Sequence, residues 1–222
     1  MQQDTPAFLD SSRPDVPDIV VPRGVLPFHL PHRPVRGRLI RLGPLAEALL
    51  SRHDHPAPVT ELAGEALALV AGLASALKFK GSFSLQAKGD GPVTLLLADC
   101  TDDGALRFHV RTDPERLAAL LDADPRPDAA ALLGKGFLAF TVDQGPDTER
   151  HQGIVAIEGN TLADMAGYYF ATSEQHECRV QLACARGPAG WRAGGLVLER
   201  IAAEGGIRPG TELDNAVLDA EG

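Results

Sequence analysis

Alternating apolar and polar residues predict that much of this chain forms β-strands. The clearest case is residues 106–111, where Leu106, Phe108 and Val110 alternate with basic and imidazole side chains, a pattern typical of a half-buried strand. Asp-Gly pairs at 90–91 and 103–104 mark two turns before this strand, which predicts an antiparallel meander. Further strands are predicted over residues 38–41, 81–87, 92–99, 137–142, 153–157, 178–184 and 191–200.

Apolar residues spaced three and four apart predict a long helix over residues 59–79. Its remaining faces carry mostly Ala and Gly, so we expect it to be buried on most sides. Shorter helices are predicted over residues 44–51, 115–121 and 161–172, the last with Thr161 and Asp164 as a capping box. Paired strands with interspersed helices indicate an α+β fold, with mostly antiparallel sheets packed against the long buried helix and the shorter helices.

The chain divides into three parts by composition. Residues 1–34 contain seven prolines and little periodicity, which predicts an extended N-terminal arm whose few apolar residues could still dock on a core. Residues 35–201 hold the predicted helices and strands and form the expected core domain. Residues 202–222 carry five acidic residues against Arg208, which predicts a solvated tail or the start of a linker.

Overall composition favours a cytoplasmic protein. The 222 residues are 44% hydrophobic and carry a net charge of −9, which disfavours a nucleic-acid partner. The longest apolar stretch, residues 66–77, is shorter than the roughly 20 residues that span a bilayer, and the N-terminus lacks a secretory signal pattern. Three cysteines without a CxxC or CxC pair fit a reducing compartment. We therefore expect neither a membrane nor a nucleic acid as partner.

Motifs that would carry catalysis are weak. His53 and His55 offer two imidazoles without an evident third ligand, and Gly134-Lys135-Gly136 lacks the spacing of a phosphate-binding loop. Cys178 and Cys184 share one face of a predicted strand about 20 Å apart, too far for a disulfide. Solvent-exposed side chains are the favoured interpretation of the remaining histidines, His29, His32, His109, His151 and His176. The sequence thus favours binding through surfaces, with no catalytic residue, cofactor or metal ligand assigned.

A series of short signatures, in a consistent order from about residue 35 to 200, resembles the heat-shock protein 33 family, also termed the 33 kDa chaperonin. No single piece is specific, but the ordered set is. The pieces are Val35-Arg36-Gly37; His53 with Pro56; Leu77-Lys78-Phe79 followed by Gly81; Gln86 with Gly89-Asp90-Gly91-Pro92; Gly134-Lys135-Gly136; Gln152-Gly153-Ile154-Val155; Glu158-Gly159-Asn160-Thr161-Leu162; Tyr169-Phe170 with Ser173-Glu174-Gln175; and Ala193-Gly194-Gly195.

The resemblance implies an ATP-independent bacterial holdase that binds unfolding proteins during oxidative and heat stress. In that family a linker follows the core, and a C-terminal module with four cysteines binds zinc when reduced; oxidation unfolds the linker and favours a homodimer. This chain has no matching CxC or CxxC pair. We therefore transfer no zinc or redox role to Cys100, Cys178 or Cys184 and expect zinc only in the absent module. The chain is expected to be either a truncated core of a longer protein, which we favour, or a natural form that lacks the switch.

A holdase binds clients through apolar surface, so outward residues of the predicted strands are the candidates for client binding. Two alternatives remain open: an inert scaffold that needs the absent linker and zinc module, and a small hydrolase with a divergent site around His53 or His151. The six candidate residues are Phe83, Leu85, Leu138, Phe140, Leu196 and Leu198.

Overall fold

A computed structural model describes residues 24–76, 81–144, 150–174 and 177–201. Within these ranges the chain forms nine strands and five helices. In chain order they are β1 (Gly24–His29), β2 (Val35–Arg41), α1 (Pro44–Leu50), α2 (Ala57–Ala74), β3 (Ser82–Gly89), β4 (Val93–Thr101), β5 (Leu106–Thr112), α3 (Pro114–Ala123), α4 (Ala129–Leu133), β6 (Gly136–Asp143), β7 (His151–Ala156), α5 (Leu162–Thr172), β8 (Cys178–Gly187) and β9 (Gly190–Arg200).

The strands form two antiparallel sheets, which confirms the predicted α+β fold. Sheet A has the order β1-β2-β9-β8, and sheet B has the order β5-β4-β3-β6-β7. Strands β3, β4 and β5 are consecutive neighbours in sheet B, as the meander prediction required. The central pair of sheet A joins β2 to β9, two strands that are far apart in the sequence.

Regular structure begins earlier than predicted. Residues 24–29, assigned to the proline arm, instead form β1, an edge strand that pairs with β2 from Gly24 opposite Arg41 to His29 opposite Arg36. An edge strand accommodates Pro27 because only one of its sides needs N–H donors. The rest of the predicted arm that precedes β1, and the predicted tail over residues 202–222, lie outside the described residues.

Helix α2 is the centre of the core. It begins at Ala57 and ends at Ala74, so the predicted helix extended too far, and residues 77–79 lie outside the described part of the chain. The helix is long and apolar enough for a membrane span by composition, yet it is mostly buried against both sheets. Gly64 and Gly72 let sheet A approach closely: Gly64 faces Cys184, and Gly72 faces Ile40. We therefore assign α2 to the protein core.

Local capping fixes the shorter helices. The predicted capping box of α5 is present: Thr161 and Asp164 exchange hydrogen bonds, and those from Thr161 hold the pKa of Asp164 below its usual value. Helix α4 was not predicted, because five residues are too few for a periodic pattern. Gly134 and Gly136, which follow α4, flank Lys135 in a turn, where the Lys135 N–H donates a hydrogen bond to the Asp90 carboxylate at 2.7 Å.

Candidate functional site

The two faces of sheet A differ in what covers them. Helices α1 and α2 pack on one face, where Ile40 and Val197 lie under Gly72. Successive residues of a strand point to opposite faces, so the neighbours of these core residues point away from the helices. We call this side the outer face and define it by its five large apolar residues, Leu26, Phe28, Leu39, Leu196 and Leu198.

The strand register places the outer-face residues side by side. Leu26 is directly opposite Leu39, which is opposite Leu196. In the next row Phe28 and Leu198 lie on either side of Gly37. Directly opposed side chains on one face have Cβ atoms about 4.5–5.5 Å apart, so the five residues form one continuous apolar area across three strands.

These side chains remain accessible. None of the five belongs to the cluster of buried residues that surrounds α2. Leu26 is 37% exposed, and Phe28, Leu39, Leu196 and Leu198 are half-buried. A contiguous apolar area that is exposed on a sheet face is typical of an interaction site.

Basic residues border the outer face. By the same alternation four arginines point to this side of the sheet, and the strand positions that share it include no acidic residue among the described ones. Arg200 pairs with Glu177, which precedes β8, at 3.0 Å. Glu177 lies on the same side by this alternation and offsets one of the four charges, so the described residues leave the face with an excess of positive charge on a chain whose net charge is −9. We call these residues the border arginines: Arg41, Arg179, Arg192 and Arg200.

A charged cluster on the opposite side of sheet A fixes the two central strands. Glu199 accepts hydrogen bonds from Arg36 Nε at 2.5 Å and from Arg38 Nη1 at 2.7 Å. Burial alone would raise the pKa of Glu199, but the hydrogen bonds from both arginines outweigh it and hold that pKa below its usual value. Because Arg38 and Glu199 come from β2 and β9, their pairing sets the register that aligns Leu39 with Leu196.

The six predicted client-binding residues divide between the two sheets. Leu196 and Leu198 lie on the outer face, as an outward position requires. Leu85, Leu138 and Phe140 are buried on the inner side of sheet B, and Phe83 is only 9% exposed, so the expectation that these four point outward is wrong. The reason is that α2 and α5 pack against this side of sheet B and enclose its apolar residues.

Three outer-face residues were missed by sequence reasoning. Leu26 and Phe28 lie in the stretch that its prolines assigned to an arm, although they alternate with Val25 and Pro27 as strand residues do. Leu39 lies in a strand that was predicted but not singled out. The period of two in β1 was the signal that could have found the first pair.

A cavity of about 450 Å³ opens at one end of the space between the sheets. Its apolar walls include Phe83, Phe140 and Phe170, and its rim includes His151 and Glu174. The described residues show no hydrogen bond from His151 to a carboxylate or hydroxyl, whereas Glu174 accepts one from the Tyr169 hydroxyl at 2.6 Å. The geometry therefore lacks the base–carboxylate contact that orients a catalytic imidazole in a hydrolase.

The other candidate residues show no catalytic arrangement in the described ranges. The rings of His53 and His55 stack 5.7 Å apart, and no described group of three or more His, Cys, Asp or Glu residues is placed to hold a metal ion. Burial, followed by the charge of Glu199, raises the pKa of Cys178 to about 12. Burial likewise raises the pKa of Cys184 to about 12 and that of Cys100 to about 11. All three cysteines are free thiols.

Comparisons with known proteins agree on one family. A family model described as Hsp33 protein matches residues 24–219. A 33 kDa chaperonin of Caulobacter vibrioides is 46% identical over 196 residues, covering 84% of this chain and 65% of the relative. A 33 kDa chaperonin of Pseudomonas aeruginosa is 38% identical over 170 residues, covering 77% and 54%. The chain thus spans between about half and two thirds of the length of these relatives.

A solved structure shares the fold. The crystal structure of the 33 kDa chaperonin from Thermotoga maritima matches with a TM-score of 0.67 at 24% sequence identity. The match covers 81% of this chain and 61% of that protein.

Proposed function

This chain belongs to the Hsp33 family, and from that premise we propose that it is an ATP-independent holdase chaperone that binds unfolding proteins and catalyses no reaction. The observation that carries this proposal is the outer face of sheet A. Five large apolar side chains are held there in register by β1, β2 and β9, and the helices pack on the opposite side.

Binding would follow from the burial of apolar surface. A client segment that covers Leu39, Leu196 and Leu198 removes apolar area from water, which is worth about 25 cal/mol for each Å². This driving force has no directional requirement, so segments of many sequences can bind. The border arginines would favour acidic client segments through long-range attraction, an effect that weakens as salt screens the charges.

We propose no role for zinc in client binding by this chain. The family resemblance implies a zinc-binding module, but the described residues contain no group placed to hold a metal ion. We assign no redox role to the three cysteines, because their raised pKa values keep the thiols protonated at neutral pH. Client binding by this chain is therefore proposed to be independent of oxidation.

Unfolded proteins are the proposed partners, and the cytoplasm is the proposed location. A homodimer formed through the outer face would compete with clients for the same apolar area. The amount of client bound per chain should then fall as the chain concentration rises. Size-exclusion chromatography with light scattering measures the fraction of dimer at each concentration.

The proposal is tested by diluting a chemically unfolded client into the purified chain under reducing conditions without nucleotide, and by following aggregation as light scattering. We expect suppression relative to an equal mass of an inert protein. No suppression, from a chain whose circular dichroism shows it to be folded, would overturn the proposal in favour of a scaffold that needs further segments of the kind present in its longer relatives.

A further inference from the structure

Residues 1–23 precede both the first described residue and the family match, which begin at residue 24. This segment, which we call the N-terminal segment, contains two apolar groups, Phe8-Leu9 and residues 19–21 (Ile-Val-Val). Four aspartates against Arg13 and Arg23 give its side chains a charge of −2. The aspartates adjoin or separate the apolar groups: Asp4, Asp10, Asp15 and Asp18. The segment thus combines apolar and acidic character over a short length.

The point of attachment brings the N-terminal segment to the outer face. It joins the chain at Gly24, which pairs with the border residue Arg41. Leu26 and Phe28, the outer-face residues of the edge strand β1, follow directly. Neighbouring strands lie about 4.8 Å apart, so the four strands of sheet A span about 14 Å. Since a chain spans at most about 3.5 Å per residue, the 23 residues of the segment are long enough to cross the face.

Charge on the two sides is complementary. The outer face presents four border arginines against one described acid, Glu177, which pairs with Arg200, while the side chains of the N-terminal segment carry a charge of −2. Tethering adds to this attraction, because a short linker raises the effective concentration of a segment at its binding site to the millimolar range.

We propose that the N-terminal segment binds the outer face of sheet A in the same chain, with its apolar groups on the leucines and its aspartates facing the border arginines. Given the proposed function, a client must displace the segment, so it acts as an intramolecular competitor. The docking itself does not depend on client binding and is tested separately.

Photo-crosslinking in the full chain tests the docking. The cross-linking residue p-benzoylphenylalanine replaces Phe8, and mass spectrometry maps the products after irradiation. We expect products within one chain, on the strands that carry Leu39, Leu196 and Leu198. A matched control places the same residue at Tyr168, which is 42% exposed on α5, and should give no such products.

Reversing the charge of border arginines tests whether the cross-links arise from docking on the outer face or from chance contact. Arg41 and Arg179 are both exposed border residues, and the variant Arg41→Glu with Arg179→Glu should lower the cross-linking yield about threefold or more. The control variant Arg111→Glu with Arg126→Glu changes two exposed arginines elsewhere and should leave the yield unchanged. Products on another surface, products only between two chains, no products, or equal effects of both variants would each overturn the proposal.

A client assay tests the competition. The variant Phe8→Ser with Leu9→Ser should suppress client aggregation at a severalfold lower chain concentration than the unmodified chain, because a weaker competitor leaves more of the outer face free. An unchanged or higher concentration requirement, in a chain that does suppress aggregation, would overturn the competition. If neither chain suppresses aggregation, the proposed function fails, while the cross-linking result still decides the docking.

Discussion

The ring of Phe28 lies directly over Gly37, on the outer face of sheet A. A Cβ atom added to Gly37 would overlap the Phe28 ring and would come within 2.8 Å of Leu198 Cδ2. The absence of a side chain at residue 37 thus lets Phe28 and Leu198 approach each other across β2. This close packing joins the edge strand to the central strands and makes the apolar area continuous.

Gly37→Ala should destabilise the fold. The added methyl group forces Phe28 and Leu198 to move, and overpacking of this kind costs about 1–3 kcal/mol. The free energy of unfolding, measured with a chemical denaturant, gives the effect. Gly167→Ala is the matched control, since nothing lies within 4 Å of a Cβ there and alanine favours a helix by up to about 1 kcal/mol. Equal losses at both positions would contradict this account of Gly37.

Substitution by aspartate should destabilise the fold at a core position and leave it folded at an outer-face position. Phe140 is 2% exposed and packs against the Tyr169 ring, with centroids 4.4 Å apart, so Phe140→Asp places a carboxyl in the core at a cost of more than about 4 kcal/mol. Leu198 is half-buried on the outer face, where water can solvate an aspartate. Circular dichroism should show an unfolded chain for Phe140→Asp and a folded one for Leu198→Asp. Two folded variants of equal stability would contradict the assignment.

Glu65 should make the fold less stable as pH rises. Burial, followed by the charge of Glu61, raises the pKa of Glu65 to about 7 from an ordinary value of 4.5. Below pH of about 4.5 both the folded and unfolded states are protonated, and between this pH and about 7 the folded state holds a proton that the unfolded state has released. The resulting loss of stability reaches at most about 3 kcal/mol and is complete above pH of about 7.

The variant Glu65→Gln checks this pH dependence. It should raise the free energy of unfolding at about pH 8 and change it little at about pH 4, because glutamine carries no charge to bury. Glu115→Gln on α3, where the side chain is exposed, is the control. An equal effect of Glu65→Gln at both pH values would show that the residue acts through packing instead of charge.

The cysteines should react slowly in the folded chain. The thiolate is the reactive form, and the raised pKa values of Cys100, Cys178 and Cys184 leave little of it at neutral pH. We expect a colorimetric thiol reagent to modify all three only after denaturation. Rapid modification of a folded chain, or a gain of client suppression on treatment with hydrogen peroxide, would contradict an oxidation-independent mechanism.

Local sequence patterns predicted most of the fold but only part of the site. The capping box of α5, the apolar pattern of α2 and the alternation in β5 each depend on neighbouring residues, so the sequence carries them directly. The orientation of a strand face depends instead on long-range packing. Phe140 and Leu198 occupy similar alternating segments, yet the first is enclosed by helices while the second lies on the opposite side of a sheet that pairs β2 with β9. No local pattern distinguishes them.

The central claim is that the outer face of sheet A binds clients. The most direct test compares two double variants. The outer-face variant combines Leu39→Ser and Leu196→Ser at opposed positions. The control variant combines Ile154→Ser and Leu45→Ser, at side chains elsewhere that are 57% and 43% exposed. Each lost leucine contact is worth roughly 1.5–3 kcal/mol when fully buried. In light scattering of an aggregating client, the chain concentration that halves aggregation should therefore be at least about tenfold higher for the outer-face variant. The control variant should require the same concentration as the unmodified chain. Equal suppression by all three folded chains would contradict the claim.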